Sequence, residues 1–231
     1  MDSVDNKEEK SQLVAYTVPM AVFLALLALV SLLHSMGNNI WLSRCEYWIY
    51  PVQTIVCGFL LLRFWPRYLS LRPHRVVIAI VIGLAVFVLW IAPQAFLGYA
   101  PRTEGFNPGS MFGDQAPLYW LTVIFRFLRL VIVVPLVEEI FWRGFLLRYL
   151  INERFSQVPF GAFSWLSFAV VTLCFTFTHS PADWSAAFLT GMLYNFVAYR
   201  TKSLGSCVVA HALTNLLLGL WIMKTGQWGF W

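Results

Sequence analysis

Two adjacent glutamates, Glu138 and Glu139, fall inside one long apolar run, and two of the four histidines, His179 and His211, fall inside others. Carboxylates and imidazoles are the side chains with which proteins most often move protons near neutral pH. Buried in apolar surroundings they are costly unless paired or used. Helical spacing supplies some partners. Glu139 and Arg143 are four residues apart with the acid on the N-terminal side, the better orientation for an intrahelical ion pair. Glu138 lies about 100° around the same helix, so Arg143 does not easily serve both glutamates and Glu138 is left over. His211 and Asn215 are four apart, as are Phe175 and His179. The chemistry on offer is acid–base work on a water molecule, with an amide and an imidazole as hydrogen-bond donors.

The chain around these residues is 231 residues long, 59% hydrophobic and only 12% charged. That composition excludes a disordered or ordinary soluble chain. It predicts an all-α, polytopic transmembrane helix bundle forming one membrane domain over 1–231, behind a polar tail at 1–11. Seven apolar runs approach the roughly 20 residues a crossing takes, near 12–34, 47–65, 75–92, 118–150, 160–180, 184–199 and 205–223. The first, flanked by Asp2, Asp5, Glu8 and Glu9, is too long and too acidic at its start for a cleaved signal peptide. The connection from Pro93 to Pro117, rich in Gly and Pro, is expected to be irregular. The net charge of +5 has no clustered basic face, which argues against nucleic acid.

Its distribution bears on orientation instead. With a cytoplasmic N-terminus the inner side receives Lys7, Lys10, Arg63, Arg67, Arg72, Arg75, Arg143, Arg148, Arg154, Arg200 and Lys202, and the outer side only Arg44, Arg102 and Lys224. Arg126 and Arg129 are left inside a span and are expected to reach headgroups at the outer interface. Trp221, Trp228 and Trp231 are expected to form an aromatic belt there. The four cysteines form no CxxC pair and read as buried free thiols. His34 and His74 need no more than surface roles. Asn195 is expected to hydrogen-bond between helices.

At 1.5 Å per residue, Glu138, His179, His211 and Asn215 all come to about the same membrane level, some 15–22 Å from the inner ends of their helices. Pro135, one turn before Glu138, is expected to bend the long fourth helix and to free a backbone carbonyl near the site.

Taken in order, Glu138-Glu139…Arg143, Phe175…His179 and His211…Asn215 resemble the three motifs of the CPBP intramembrane proteases, related to the CAAX prenyl endopeptidase Rce1 and also called the Abi family. The resemblance covers about Leu118 to Leu220 and includes Tyr199-Arg200-Thr201-Lys202-Ser203-Leu204, in which Lys202 replaces the glycine often found in the family. It implies an intramembrane endopeptidase of the glutamate type, acting on a membrane-associated protein or peptide in the lipid bilayer. Glu138 and His179 would activate water, and His211 and Asn215 would stabilise the oxyanion. Glu139, Arg143 and Phe175 would support them, with no metal. The prokaryotic branch associated with exosortase systems has a similar size, which implies a prokaryotic plasma membrane. The chemistry stands without the resemblance: peptide hydrolysis needs a base for water and donors aimed at the developing oxyanion, and both are worth more in a dry site. Water must reach such a site through a polar cavity, expected to open to the cytoplasmic side.

Three other readings compete. Glu138, His179, His211 and Cys207 are all possible zinc ligands, though there is no HExxH pair and Asn215 is a poor ligand. A non-enzymatic scaffold or immunity-type protein is the second. A transporter is the third, against which stands the lack of paired-half hydropathy.

Overall fold

In a computed structural model, residues 2–37, 39–113 and 115–231 are described, with side chains from residue 7 onward, so the side chains of Asp2 and Asp5 lie outside the described residues. Seven long helices follow one another: α1 (Asp2–Met36), α2 (Glu46–Phe64), α3 (Val76–Phe96), α4 (Ala116–Tyr149), α5 (Trp165–Phe177), α6 (Trp184–Thr201) and α7 (Leu204–Thr225). No strand occurs among the described residues. The all-α membrane architecture read from composition is therefore present. The polar tail, however, is no separate coil, because residues 2–11 are the first turns of α1.

Five helices are long and apolar enough to cross a bilayer: α1, α2, α3, α4 and α7. The other two expected spans differ. α5 is only 13 residues long, about 20 Å at the helical rise, and α6 falls short in apolarity because it carries Thr190, Asn195 and Arg200. Together they form a short hairpin. The Pro93–Pro117 connection is mostly irregular, as expected, with one helical turn at Pro108–Phe112.

Hydrogen bonds define the two ends of the bundle. At one end Arg67 Nε donates to Ser11 Oγ, Ser203 Oγ donates to the Arg72 carbonyl, and Arg75 donates to the Arg200 carbonyl. This end gathers the start of α1 with the α2–α3 and α6–α7 connections. At the other, Arg102 pairs with Asp183 at 2.6 Å, its N–H donates to Gln227 Oε1 and its carbonyl accepts from Gly229 N–H, gathering the α3–α4 connection, the α5–α6 turn and the C-terminal segment.

Two local devices position the site. α3 and α7 pack so closely at Gly83 that a Cβ there would sit 2.7 Å from the Ala210 carbonyl, one residue before His211. Only glycine permits that approach. α6 ends at Lys202 with φ of 53°, a left-handed cap usually given to glycine. The lysine at this point of the family-like stretch thus occupies a position where glycine is strain-free, and its ammonium donates to the Gly161 carbonyl.

α4 departs from regular α-geometry on both sides of the glutamates. Val134 N–H bonds the Arg129 carbonyl and Leu147 N–H bonds the Trp142 carbonyl, each five residues back. These wide turns, at Arg129–Val133 and Ile140–Leu146, are the form in which helices often accommodate functional residues. In the first of them the next N–H in register would belong to Pro135, which has none. The Leu130 carbonyl is thereby freed, the effect expected of this proline.

Candidate active site

Glu139 and Arg143 form the ion pair their spacing predicts, with Arg143 Nη1 donating to Glu139 Oε1 at 3.1 Å and both side chains 0% exposed. The guanidinium is fully employed: Nε donates to Asn195 Oδ1 at 3.1 Å and Nη2 to the Gly191 carbonyl at 3.3 Å, while Phe175 and Tyr194 lie against its faces. Asn195 in turn donates to Thr172 Oγ1 at 3.1 Å, so one buried network binds α4, α5 and α6. Asn195 is the interhelical hydrogen-bonder expected of it.

Glu139 has a second partner that spacing did not reveal. His211 Nδ1 lies 2.9 Å from the same Oε1. A carboxylate acceptor fixes the proton on Nδ1 and leaves Nε2 for chemistry. Tyr194 steadies the ring at a centroid distance of 5.1 Å, and its hydroxyl donates to Thr214 Oγ1 at 2.8 Å.

His179 is not within a helix. α5 stops at Phe177, and His179 sits in the turn at the tip of the short α5–α6 hairpin. The expected position inside a span is thus corrected, yet His179 still lines the same cavity as Glu138. His179 Nδ1 lies 2.9 Å from the Phe175 carbonyl, which accepts its proton and leaves Nε2 as a base. Phe175 stacks on the His179 ring at 4.9 Å and is 1% exposed, so it braces both Arg143 and His179.

Glu138 has no such network. One of its oxygens, Oε2, is buried and has no hydrogen-bond partner among the described residues. Asn215 Nδ2 donates at 2.7 Å to the Leu130 carbonyl, the one freed by Pro135, and the other amide hydrogen stays available.

Glu138, His179, His211 and Asn215 all line one cavity of about 400 Å³, to which Phe175 and Tyr194 also contribute. Glu139 and Arg143 stand behind its wall. Ser180, Asp183, Gly229, Phe230 and Trp231 line it as well, all from the Arg102 end of the bundle. The cavity therefore extends toward the Arg102 end of the bundle, away from the start of α1. Trp231 belongs to this cavity lining and packs against Trp228 at 5.3 Å, so the C-terminal tryptophans are more than an interfacial belt.

Other expectations also change. Arg126 and Arg129 are each 5% exposed and do not reach an outer interface. Arg143 and Arg148, counted as inner-side charges, are 0% and 4% exposed and so are buried within the bundle. Arg148 is held by the carbonyls of Gly144, Ser156 and Val158. Cys174 is exposed, unlike the other three cysteines. Cys207 is 0% exposed, lies 3.5 Å from the Ser203 carbonyl and is absent from the cavity lining. It thus stands apart from Glu138, His179 and His211, with which it would have to share a metal. Among the described residues, His34, Cys45 and Glu46 are the group whose potential ligand atoms all lie within 4.8 Å of one another, at the opposite end of α1 from its start. There His34 Nε2 and Glu46 Oε2 are 2.7 Å apart, more than the surface role expected of His34.

Arg129 is the cavity residue that sequence reasoning missed. It lines the cavity, and its Nε donates to Gln53 Oε1 at 2.6 Å. The only signal in the sequence was a second intramembrane arginine three residues after Arg126.

No curated protein and no solved structure matches the chain. Residues 119–217, which hold all three motifs, nearly all of α4, all of α5 and α6 and the first part of α7, match the family described as type II CAAX prenyl endopeptidase Rce1-like. A domain of that family implies a membrane-embedded protease with a membrane-associated substrate, and the apolar helices agree with it. Residues 119–217 thus form an Rce1-like domain, in agreement with the resemblance to the CPBP intramembrane proteases that the three motifs carry.

Proposed function

We propose that the protein is an intramembrane endopeptidase that hydrolyses a peptide bond of a membrane-associated protein or peptide, with residues 118–220 as the catalytic core of one membrane domain. The observation that carries this reading is the convergence of Glu138, His179, His211 and Asn215 on one cavity while Glu139 and Arg143 brace its wall.

In this mechanism Glu138 and His179 Nε2 accept hydrogen bonds from a water molecule, and Glu138 takes its proton as the oxygen attacks the scissile carbonyl. The carbonyl oxygen becomes an oxyanion. Asn215 offers it the amide hydrogen not spent on Leu130. His211, its ring held by Glu139 through Nδ1, presents Nε2 as the second group at the oxyanion. The leaving amine then receives the proton from Glu138. No metal takes part. Because the cavity lies toward the Arg102 end, substrate and water enter from that end or from the bilayer beside it. In this reading the protein works in a prokaryotic plasma membrane, which the similar size of the exosortase-associated prokaryotic branch supports.

The test compares membrane fractions from cells making the native protein or Glu138→Gln, looking for new protein termini that require Glu138. Termini unchanged between the two would overturn the reading. Activity in purified protein that is lost to a chelator and restored by zinc would overturn its metal-free chemistry.

A further inference from the structure

Arg126 and Arg129 are two cations, each 5% exposed, placed where neither has a carboxylate within 4.0 Å among the described residues. Buried charge without a counter-charge is costly, and in a membrane protein it usually marks a pathway or a ligand. Arg126 is partly compensated by aromatic faces, its guanidinium lying 5.0 Å from the Tyr50 ring, 4.8 Å from Phe106 and 5.8 Å from Trp231. Even so, its Nε and Nη1 have no hydrogen-bond partner. Arg129 lies 4.4 Å from the Tyr50 ring and spends Nε on the neutral Gln53. Its two terminal nitrogens bond to nothing among the described residues, and Arg129 lines the same cavity as Glu138. Of the other charged groups lining that cavity, Asp183 is paired with Arg102, while Glu138, nine residues further along α4, makes no ion pair but is near enough for its charge to act on Arg129.

We infer that Arg129 is the anchor for a carboxylate of the substrate peptide, with Arg126 adding its field from behind the aromatic cage. The inference rests on the proteolytic reading for the word substrate, but the site is a binding site whether or not cleavage follows. Three points favour a carboxylate. A guanidinium with its terminal nitrogens unspent offers the paired donors that a carboxylate accepts side by side. Two buried arginines in a low-dielectric wall, on which the carboxylates of Glu46 and Glu138 act only from beyond 4.0 Å, favour an added anion over a neutral group. Nine residues of helix rise about 13 Å from Arg129 to Glu138 along the backbone, an upper bound on the span between their side chains, and extended peptide covers it in about four residues. The carboxylate therefore belongs within about four residues of the bond to be cut, either as the chain terminus or as an Asp or Glu side chain. Arg129 touches the bound peptide and sets which peptides are held; it does not act on the reacting atoms.

The experiment uses full-length protein in phosphatidylcholine nanodiscs and three lipidated peptide pools of common randomised sequence. One pool ends in a free carboxylate and has no acidic side chain. One is amidated and carries a single Asp or Glu, and one is amidated with none. Binding is read on Glu138→Gln protein, which holds peptide without cutting it, and cleavage on the native protein. The expected result is binding of one acid-bearing pool at least about 10-fold tighter than the neutral pool, a preference lost in Glu138→Gln/Arg129→Gln and partly restored by Arg129→Lys. Which acid-bearing pool is preferred identifies the chain terminus or the side chain as the source. In cleavage, Arg129→Gln should raise KM for that pool with little change in kcat. Equal binding of all three pools, or an equal loss for all three in Arg129→Gln, would overturn the inference, as would retention by Arg129 of a phospholipid that peptide does not displace. Acid-selective, Arg129-dependent binding with no cleavage by the native protein would instead remove the proteolytic reading and leave the anchor standing.

Discussion

Arg129 and Arg143 lie on one helix, both inside wide turns and both nearly sealed from solvent, at 5% and 0% exposure. Their surroundings are opposite. Arg143 meets a carboxylate, an amide oxygen and a backbone carbonyl, and every nitrogen has an acceptor. Arg129 has one neutral acceptor and an open cavity in front of it. The neighbouring glutamates differ in their partners, for Glu139 Oε1 is shared by Arg143 and His211 while Glu138 has no side-chain hydrogen bond among the described residues, although Oε2 of each is buried without a partner. Within a single helix, then, ion-paired charges build the wall and charges without an ion pair face the space it encloses. Burial alone does not separate scaffold from chemistry; a charged partner in contact does.

The sharpest break in that contrast comes from exchanging Glu138. Glu138→Gln removes a base that supports nothing else, so cleavage should fall by about 10²–10⁴-fold with the thermal midpoint nearly unmoved. Peptide cleavage and a melting curve on the same preparation check it. A melt lowered as far as that of a wall residue would erase the distinction between the two glutamates.

Arg143→Ala should do the reverse. It strands Glu139 in a dry interior, and breaking a buried pair from one side costs about 3–5 kcal/mol. Yield and thermal midpoint should drop sharply, whereas Arg129→Gln, which loses one hydrogen bond to a neutral partner, should cost only about 1 kcal/mol. Similar losses in the two variants, measured by denaturation in detergent, would show that the open cavity in front of Arg129 carries no meaning.

Much of this division was legible in the sequence. The four-residue spacing of Glu139 and Arg143 predicts their pair, and the same geometry leaves Glu138 over, because both follow from one local period. Pro135 foretells a freed carbonyl because the missing N–H is a property of the residue itself. What local spacing cannot carry is contact between distant segments. The bond from His211 to Glu139 spans 72 residues and depends on how α7 sits against α4. Hydropathy likewise overstated α5, since an apolar run through Thr178 and His179 does not reveal that the helix ends at Phe177 and turns. The burial of positive charge was hidden for a related reason. Arg143 and Arg148 were assigned to the inner side on sequence position, yet carbonyl and carboxylate acceptors draw both into the bundle.

Asn215 tests the middle ground, because it belongs to both classes. One amide hydrogen is spent on the Leu130 carbonyl, and the other is free for an oxyanion. Asn215→Ala should therefore lower kcat by about 10²-fold, the value of one such donor, and also lower stability modestly by leaving the Leu130 carbonyl without its partner. Residual activity should remain because His211 is still present. Loss of stability with kcat intact would assign Asn215 wholly to the wall.

Gly83 extends the contrast to a helix that contributes no charge. A methyl group there would meet the Ala210 carbonyl at 2.7 Å, so Gly83→Ala must push α3 and α7 apart. Overpacking of this kind costs about 1–3 kcal/mol. The displaced backbone immediately precedes His211, and the Thr214 hydroxyl that bonds the Gly83 carbonyl at 2.9 Å also receives the hydroxyl of Tyr194, the ring packed on His211. Activity should fall along with stability, through His211, while Glu138 and His179 on the far side of the cavity keep their places. Restoring space from the other partner separates the two effects. Since the clash is with backbone and not with a side chain, truncating the nearby Leu213, whose Cβ and Cδ2 would lie 3.3 Å from the new methyl, relieves only part of the strain. Gly83→Ala/Leu213→Ala should therefore recover little activity. Full recovery in the double variant would mean that the approach of α3 to α7 is set by side chains, and that the position of His211 does not depend on the close contact at Gly83.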